Sequence, residues 1–401
     1  MSDIRENSNP FIILILVLPY GISGGFVLGT LPYLLTRHGF SVAMVASMVA
    51  LGGSANILRF LWAPMCDLSL SLNKWYIIGN IFGAASLLLF SFIPLDICYK
   101  TPLTILIFIS QIAANLIVTP VGGFMAKTIR EERLGMAGGY WQAGNLGGGG
   151  LGAGAGIWLA THFSYHTAII VLCGIMISSL FAIRYMPQIQ AVSTEKLTNK
   201  IRLLVSDIRE LIHSPVALYT SCAIITPIGI GAAGSLWSAV YWNWQVGAET
   251  LALTIGILNL IVSSIGCLVG GIIADKSGKW TAFFSSGILL AMTTLLMSIS
   301  SFVPANFVGG VLLYAFACGI NYAAFSAVVL HAIGKGVAST KYALLSSLGN
   351  IPGTCMTAFD GWMHDNYGIK GMLWGETVIG VGFVILFLSL LEYLKTRKIR
   401  V

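Results

Sequence analysis

Two acidic side chains lie inside long apolar runs, Asp360 and Glu376. A carboxyl in hydrocarbon is costly to keep, and the chemistry open to it there is to take up and release a proton or to hold a cation. Both are therefore candidates for proton coupling. A second reading of Asp360 stays open from spacing alone: a carboxylate reaching the outer interface, with Lys370 or backbone as its partner. Uncharged polar groups form the next set. Gln111 and Asn115 are four apart and share a helix face, as do Tyr314 and Asn321, with Tyr322 adjacent. Tyr20 follows Pro19 in the first apolar run, and Trp237, Tyr241, Trp242 and Trp244 close the seventh. Such groups in lipid either bridge helices or meet a solute, and the terminal aromatics form either an interfacial belt or a gate. The substrate-binding candidates are Tyr20, Gln111, Asn115, Trp237, Tyr241, Tyr314, Asn321 and Tyr322. Gln142 shares a face with Asn145, and Asn145 and its repeat mate Asn350 read mainly as packing amides.

Other chemistry is missing from the sequence. There is no Ser/His/Asp or H-E-x-x-H arrangement and no Gly-Lys-Ser/Thr phosphate loop. The expectation is no enzyme, no ATP-driven pump and no cofactor. His162 and His166 are four apart, but no Cys or carboxylate joins them, so no metal site is expected.

The elements that position these residues follow from composition. Of 401 residues, 56% are hydrophobic and only 9% charged, against roughly 25% charged in a soluble chain. Too few charges exist to cover a water-soluble core, and too much apolar surface exists for disorder. The seven cysteines are scattered singly, which argues against a disulfide scaffold. A membrane-crossing helix needs about 20 apolar residues, and twelve such runs occur. They cover 11–35, 40–62, 75–95, 102–125, 134–161, 164–186, 215–242, 250–274, 281–301, 307–330, 342–363 and 370–391. With both ends in the cytoplasm, only Arg37, Lys100 and Lys370 of the 22 Lys and Arg residues fall on the outer side. The net charge of +7 then reflects topology and anionic lipid headgroups, not nucleic acid.

The chain also repeats itself. Pro19-Tyr20-Gly21-Ile22 recurs as Pro227-Ile228-Gly229-Ile230, and Asp67 recurs as Asp275 at the same offset. Beyond that loop the offset shortens slightly: Lys74-Trp75 recurs as Lys279-Trp280, Gly144-Asn145 as Gly349-Asn350 and Gly156 as Gly361. Two six-helix halves are expected, 1–186 and 215–401. A polar join at 187–214 carries an amphipathic stretch through Ile201, Leu204, Val205, Ile208 and Leu211. Pro19, Pro227 and Pro352-Gly353 read as kinks at matched places. The many glycines from Gly144 to Gly156 read as a smooth packing surface.

The run Gly271-Ile-Ile-Ala-Asp275-Lys276-Ser-Gly278-Lys279 resembles the G-x-x-x-D-[RK]-x-G-[RK] signature of the major facilitator superfamily. The first-half copy departs from it, with Ala63 and Leu68 in place of glycine and a cation. Leu58-Arg59-Phe60-Leu61-Trp62-Ala63-Pro64-Met65-Cys66-Asp67 is similar to the K-F-L-W-A-P-x-x-D segment of the peptide/acetyl-CoA transporter group, which includes muropeptide permeases and some siderophore importers; Tyr342 to Asn350 is similar as well. The resemblance implies gating by Asp67, Arg133, Gly271, Asp275, Lys276, Gly278 and Lys279. Asp67 would latch onto the start of helix 11 near Ser339, Thr340 and Lys341, and Asp275 onto the start of helix 5 near Arg133.

The expected fold is an all-α polytopic membrane protein, twelve transmembrane helices in two pseudo-symmetric six-helix bundles. The expected function is secondary active transport of a small organic solute by alternating access about a midplane cavity, with proton coupling. The alternatives are a drug-type exporter of the same superfamily or a non-transporting membrane sensor. The expected partners are the solute and membrane lipids, the expected state a monomer, and the expected place the bacterial inner membrane with both termini cytoplasmic.

Overall fold

The computed structural model describes residues 9, 11–59, 70–129, 134–188, 202, 206, 209, 215–333 and 344–396. These residues form twelve helical passes and no strand. α1 spans Phe11–Arg37, α2 Val42–Ile57, α3 Leu72–Phe92 and α4 Lys100–Thr128. α5 covers 134–162 and α6 spans Tyr165–Tyr185. α7 begins as Pro215–Ile224 and resumes as the short turns Ala232–Ser235, Trp237–Val240 and Tyr241–Trp244. α8 spans Ala248–Ser277, α9 Lys279–Ile299 and α10 Pro304–Ile333. The last segment, Asn350–Thr396, folds back at Gly368 (φ 69°) into α11 (350–367) and α12 (369–396). Eight segments are long and apolar enough to cross a membrane when α11 and α12 count as one; the others are the 16-residue α2, the glycine-rich α5 and the broken α7. Serine hydroxyls close several N-termini: Ser41 accepts from Met44 N–H and Ser164 from Thr167 N–H.

The residues gather into two compact units. One holds α1, α3 to α6 and α8 as far as Leu260; the other holds α2, α7, α8 from Ile261 and α9 to α12. The boundary in α8 falls just past a π-turn at Thr254–Leu258. The join at 187–214, including its amphipathic stretch, lies almost wholly outside the described residues.

In the first unit the glycines expected to make a smooth surface let backbone meet backbone. A Cβ on Gly25 would sit 2.1 Å from Gly149 O, one on Gly148 would sit 2.3 Å from Leu18 O, and one on Gly152 would sit 2.2 Å from Ile22 O. α1 and α5 therefore touch along a stripe with no side chains between them. Both carry π-turns at this contact, Phe26–Thr30 and Leu151–Ala155. The Thr30 hydroxyl donates to Gly152 O at 2.7 Å and lies 3.1 Å from Ala153 O, meeting carbonyls that the α5 π-turn turns outward. α8 joins from the other side, where a Cβ on Gly154 would sit 2.5 Å from Ala252 O.

In the second unit, helix seven departs from the expected continuous run. After Ile224 the chain leaves helical geometry, and Gly229 and Gly231 take φ of 69° and 70°. Pro227 has no N–H to give a helix, and left-handed backbone at two nearby glycines completes the break. The matched segment Pro19-Tyr20-Gly21-Ile22 stays helical inside α1, so the two copies do not bend alike. Below the break, Tyr219, Ile228, Phe283, Phe284, Val384 and Phe387 form an apolar core between α7, α9 and α12, and Tyr219 donates to Phe387 O at 3.1 Å. α2 packs antiparallel on α11: a Cβ on Gly361 would sit 2.2 Å from the Ala46 side chain, and Gly53 lies opposite Thr354.

The α1–α5 stripe yields a paired prediction. Gly25→Val should destabilise the protein by about 1–3 kcal/mol or more, as overpacking does, read as a lower thermal midpoint in detergent. Gly24→Ala, where an added Cβ meets nothing within 4 Å, should leave the midpoint unchanged or raised. Equal midpoints for the two variants would refute the backbone contact.

Candidate functional site

Asp360 on α11 and Glu376 on α12 stand at equal chain distances on either side of the Gly368 bend. The two arms run antiparallel, with Gly375 against Phe359 and Met363, so the bend brings both carboxyls to one depth. Asp360 is fully buried and Glu376 is 9% exposed. They are close enough for their charges to interact. Tyr314 on α10 donates its hydroxyl to Glu376 Oε1. Neither oxygen of Asp360, nor Glu376 Oε2, has a hydrogen-bond partner among the described residues. Lys370 does not supply one: its Nζ lies 5.9 Å from the Phe302 ring centroid. Asp360 is thus an interior carboxyl, and the interface reading is corrected.

The break in α7 runs along one stripe of α10. A Cβ on Gly229 would sit 2.2 Å from Asn321 Nδ2, and one on Gly231 would sit 2.4 Å from Cys318 Sγ. Past the break, the turn Ala232–Ser235 packs against the α11–α12 segment. Trp237 follows, buried, with its ring edge-on to Tyr314 at 5.2 Å and to Trp244 at 6.5 Å. The structure therefore brings Asp360, Glu376, Tyr314 and Trp237 into one buried cluster. Tyr241 is half-buried. Asn321 donates to Ser286 Oγ at 2.9 Å, a bridge from α10 to α9, while Tyr322 is 53% exposed.

The remaining candidates lie in the first unit and form a separate group. Gln111 Nε2 is 3.5 Å from both the carbonyl and the hydroxyl of Ser23 on α1. Asn115 turns its Nδ2 back to Gln111 O at 2.9 Å and leaves a buried Oδ1 without a partner among the described residues. Tyr20 is half-buried. A neighbouring polar knot carries little sequence signal: Tyr76 reaches Leu16 O and Ser179 Oγ, and Asn80 donates to the same Ser179 Oγ at 2.8 Å. Its Tyr-x-x-x-Asn spacing was legible, but its partners lie in α1 and α6.

Among the gating residues, Asp67 and Arg133 lie outside the described residues, as do Ser339, Thr340 and Lys341. Gly271, Asp275 and Lys276 occupy the end of α8, Gly278 turns the chain, and Lys279 opens α9. Asp275 and Lys276 are exposed. Two contacts that spacing did not reveal join helix ends. His162 at the end of α5 reaches Glu249 in the first turn of α8, 3.3 Å away. Asp365 at the end of α11 accepts from Ala43 N–H at 3.1 Å, at the N-terminus of α2. His162 is thus engaged with a carboxylate across helices, and His166 lies tilted against the Tyr165 ring, centroids 5.6 Å apart.

A family model described as the Major Facilitator Superfamily matches residues 13–355. The chain belongs to that superfamily. It is a transporter, not an enzyme. No curated protein sequence matches it. Among solved structures, the nucleoside transporter NupG superposes with a TM-score of 0.74 at 12% identity, covering 94% of this chain and 98% of that one. A D-xylose-proton symporter superposes at 0.72 with 13% identity, covering 94% and 96%. A POT family transporter in complex with 5-aminolevulinic acid gives 0.72 at 10% identity, covering 94% and 95%. At these identities the shared feature is the fold.

The cluster predicts the effect of one hydroxyl. Tyr314→Phe removes the donor to Glu376 and leaves a buried acceptor unmet, so it should cost about 1–3 kcal/mol. Thermal unfolding in detergent measures it; a midpoint equal to that of the unaltered protein would show that the hydroxyl does not support the cluster.

Proposed function

We propose that this secondary active transporter couples solute movement to protons through Asp360 and Glu376. The observation that carries the reading is the pairing itself: two carboxyls from adjacent helices meet in a buried cluster, and Asp360 has no partner among the described residues. Interior acids without a cation are costly and are kept where they serve a relay or an ion path. A carboxyl that gains a proton loses its charge, and in surroundings this dry that change alters every neighbouring contact.

The solute is a small organic molecule, neutral or amphipathic. The polar candidates are amides, hydroxyls and aromatic rings: Tyr20, Gln111, Asn115, Trp237, Tyr241, Tyr314, Asn321 and Tyr322. No Lys or Arg lies at mid-depth in the helices that carry them, which disfavours a polyanion. The likeness of 58–67 and 342–350 to the muropeptide-permease and siderophore-importer group favours a solute rich in amide or hydroxyl groups. The duplicated halves, 1–186 and 215–401, are the bodies that exchange access. The α2–α11 and α5–α8 pairs, tied by Asp365 to Ala43 and by His162 to Glu249, are the contacts that would part on one side. The charge pattern supports an inner-membrane location with both termini cytoplasmic, and a monomer suffices.

Proteoliposome uptake tests the coupling. Across a panel of muropeptides, siderophores and hydrophobic drugs, at least one solute should accumulate only with an imposed proton gradient. Asp360→Asn should lower that accumulation at least about fivefold, the lower end of an ordinary coupling free energy, while solute-for-solute exchange persists. Undiminished gradient-driven uptake in Asp360→Asn would remove Asp360 from the mechanism.

A further inference from the structure

We propose that His364, near the end of α11, is a second proton-binding site, and that a proton bound there releases the last turn of α7. The site lies apart from the coupling pair and uses neither Asp360 nor Glu376, so either reading can fail alone.

The partners of the imidazole fix its state. His364 is 8% exposed. Its Nδ1 lies 3.3 Å from Asp365 Oδ1, and its Nε2 lies 3.4 Å from Asn243 Nδ2 on α7. A carboxylate oxygen only accepts, so Nδ1 carries a hydrogen and donates it. An amide nitrogen only donates, so Nε2 accepts and carries none. The amide cannot be turned the other way round, because the same Nδ2 donates to Val240 O at 2.9 Å. Its two hydrogens serve the Val240 carbonyl and the imidazole. The arrangement therefore demands a neutral ring with its one proton on Nδ1.

A second proton can bind only at Nε2, where it meets the Asn243 amide donor against donor. Turning the amide would offer Oδ1 to the ring but give up the Val240 carbonyl inside the last turns of α7, Trp237–Val240 and Tyr241–Trp244. Keeping that bond obliges the turn to move off the ring. The opposite side of the imidazole gains. Its Nδ1–H bond to Asp365 becomes charge-assisted at both ends, and Asp365 Oδ2 still takes the Ala43 N–H of α2 at 3.1 Å. The proton thus shifts the hold of His364 from α7 to the α2–α11 contact. The segment it frees carries Trp242, edge-on to the imidazole at 6.0 Å, and Trp244, packed on Trp237 and Phe307. Among the described residues the charged group in contact with the ring is Asp365. Asp360, one turn earlier on α11, makes no hydrogen bond to it. Lys370 on α12 places its Nζ over the Phe302 ring, and Tyr241 is the titratable side chain of the α7 turn. The start of α2 at 41–47 and the facing ends of α9 and α10 at 295–310 hold no acidic, basic, Tyr or Cys residue.

Hydrogen–deuterium exchange of the peptide covering 237–246 tests this in detergent. Protection factors are compared at about pH 8 and about pH 5, the span over which an imidazole changes charge; they remove the intrinsic effect of pH on exchange. In the unaltered protein, protection should fall about fivefold toward acid, the factor equivalent to one hydrogen bond, while a peptide within α9 stays unchanged. His364→Gln keeps polar atoms in place but takes no proton, so the fall should vanish. Asn243→Asp offers the charged ring a carboxylate, so its protection should rise toward acid. Protection independent of pH in the unaltered protein would overturn the proposal. So would a fall that persists in His364→Gln or Asn243→Asp, or one shared by the α9 peptide.

Discussion

Inside a bilayer no water meets a freed peptide group, so a helix can break only where the protein itself supplies partners. The stretch after Ile224 obeys this constraint. Its two left-handed glycines let the chain pass close to Asn321 and Cys318, and its next turn packs against the α11–α12 segment that carries Glu376. Removing helical geometry there requires α9, α10, α11 and α12 to be in place around it. The break, the tyrosine and the tryptophan belong to one accommodation: an unwound stretch seated on α10 beside acids that hydrocarbon would otherwise exclude.

The first unit meets the same constraint by a different route. It keeps Pro19 within a continuous helix and brings α1 onto α5 through glycines. Where the helices loosen into π-turns, a single hydroxyl, that of Thr30, serves two carbonyls of α5. Contact through backbone alone has few side chains to interlock. Such a contact resists compression but offers little to oppose sliding. The duplicated sequence has therefore been turned to two mechanical uses, a smooth joint in one copy and a broken one in the other.

Helix ends add a third kind of contact. Asp365 satisfies an N–H at the start of α2, where four such groups lack partners within the helix. His162 meets Glu249 at the start of α8. Both contacts join the end of one helix to the beginning of another from the opposite half of the sequence. They hold two short polar points on surfaces that are otherwise apolar, and such points can part without exposing much apolar area.

Apolar runs, their number and the distribution of Lys and Arg determined that the chain is a bundle of membrane helices, because hydrocarbon thickness alone sets the length of each run. The repeat and the Gly271–Lys279 signature pointed to the superfamily in the same way, and the buried acids could be named as costly residues wherever they fell. Their meeting could not be read, since Asp360 and Glu376 come together only through the reversal at Gly368, and Tyr314 reaches them from another helix. Nor could the fate of the two Pro-x-Gly-Ile copies. Near-identical segments became an unbroken helix against α5 and an unwound strap against α10, because neighbours, not local propensity, decide whether a freed peptide group in a membrane finds a partner.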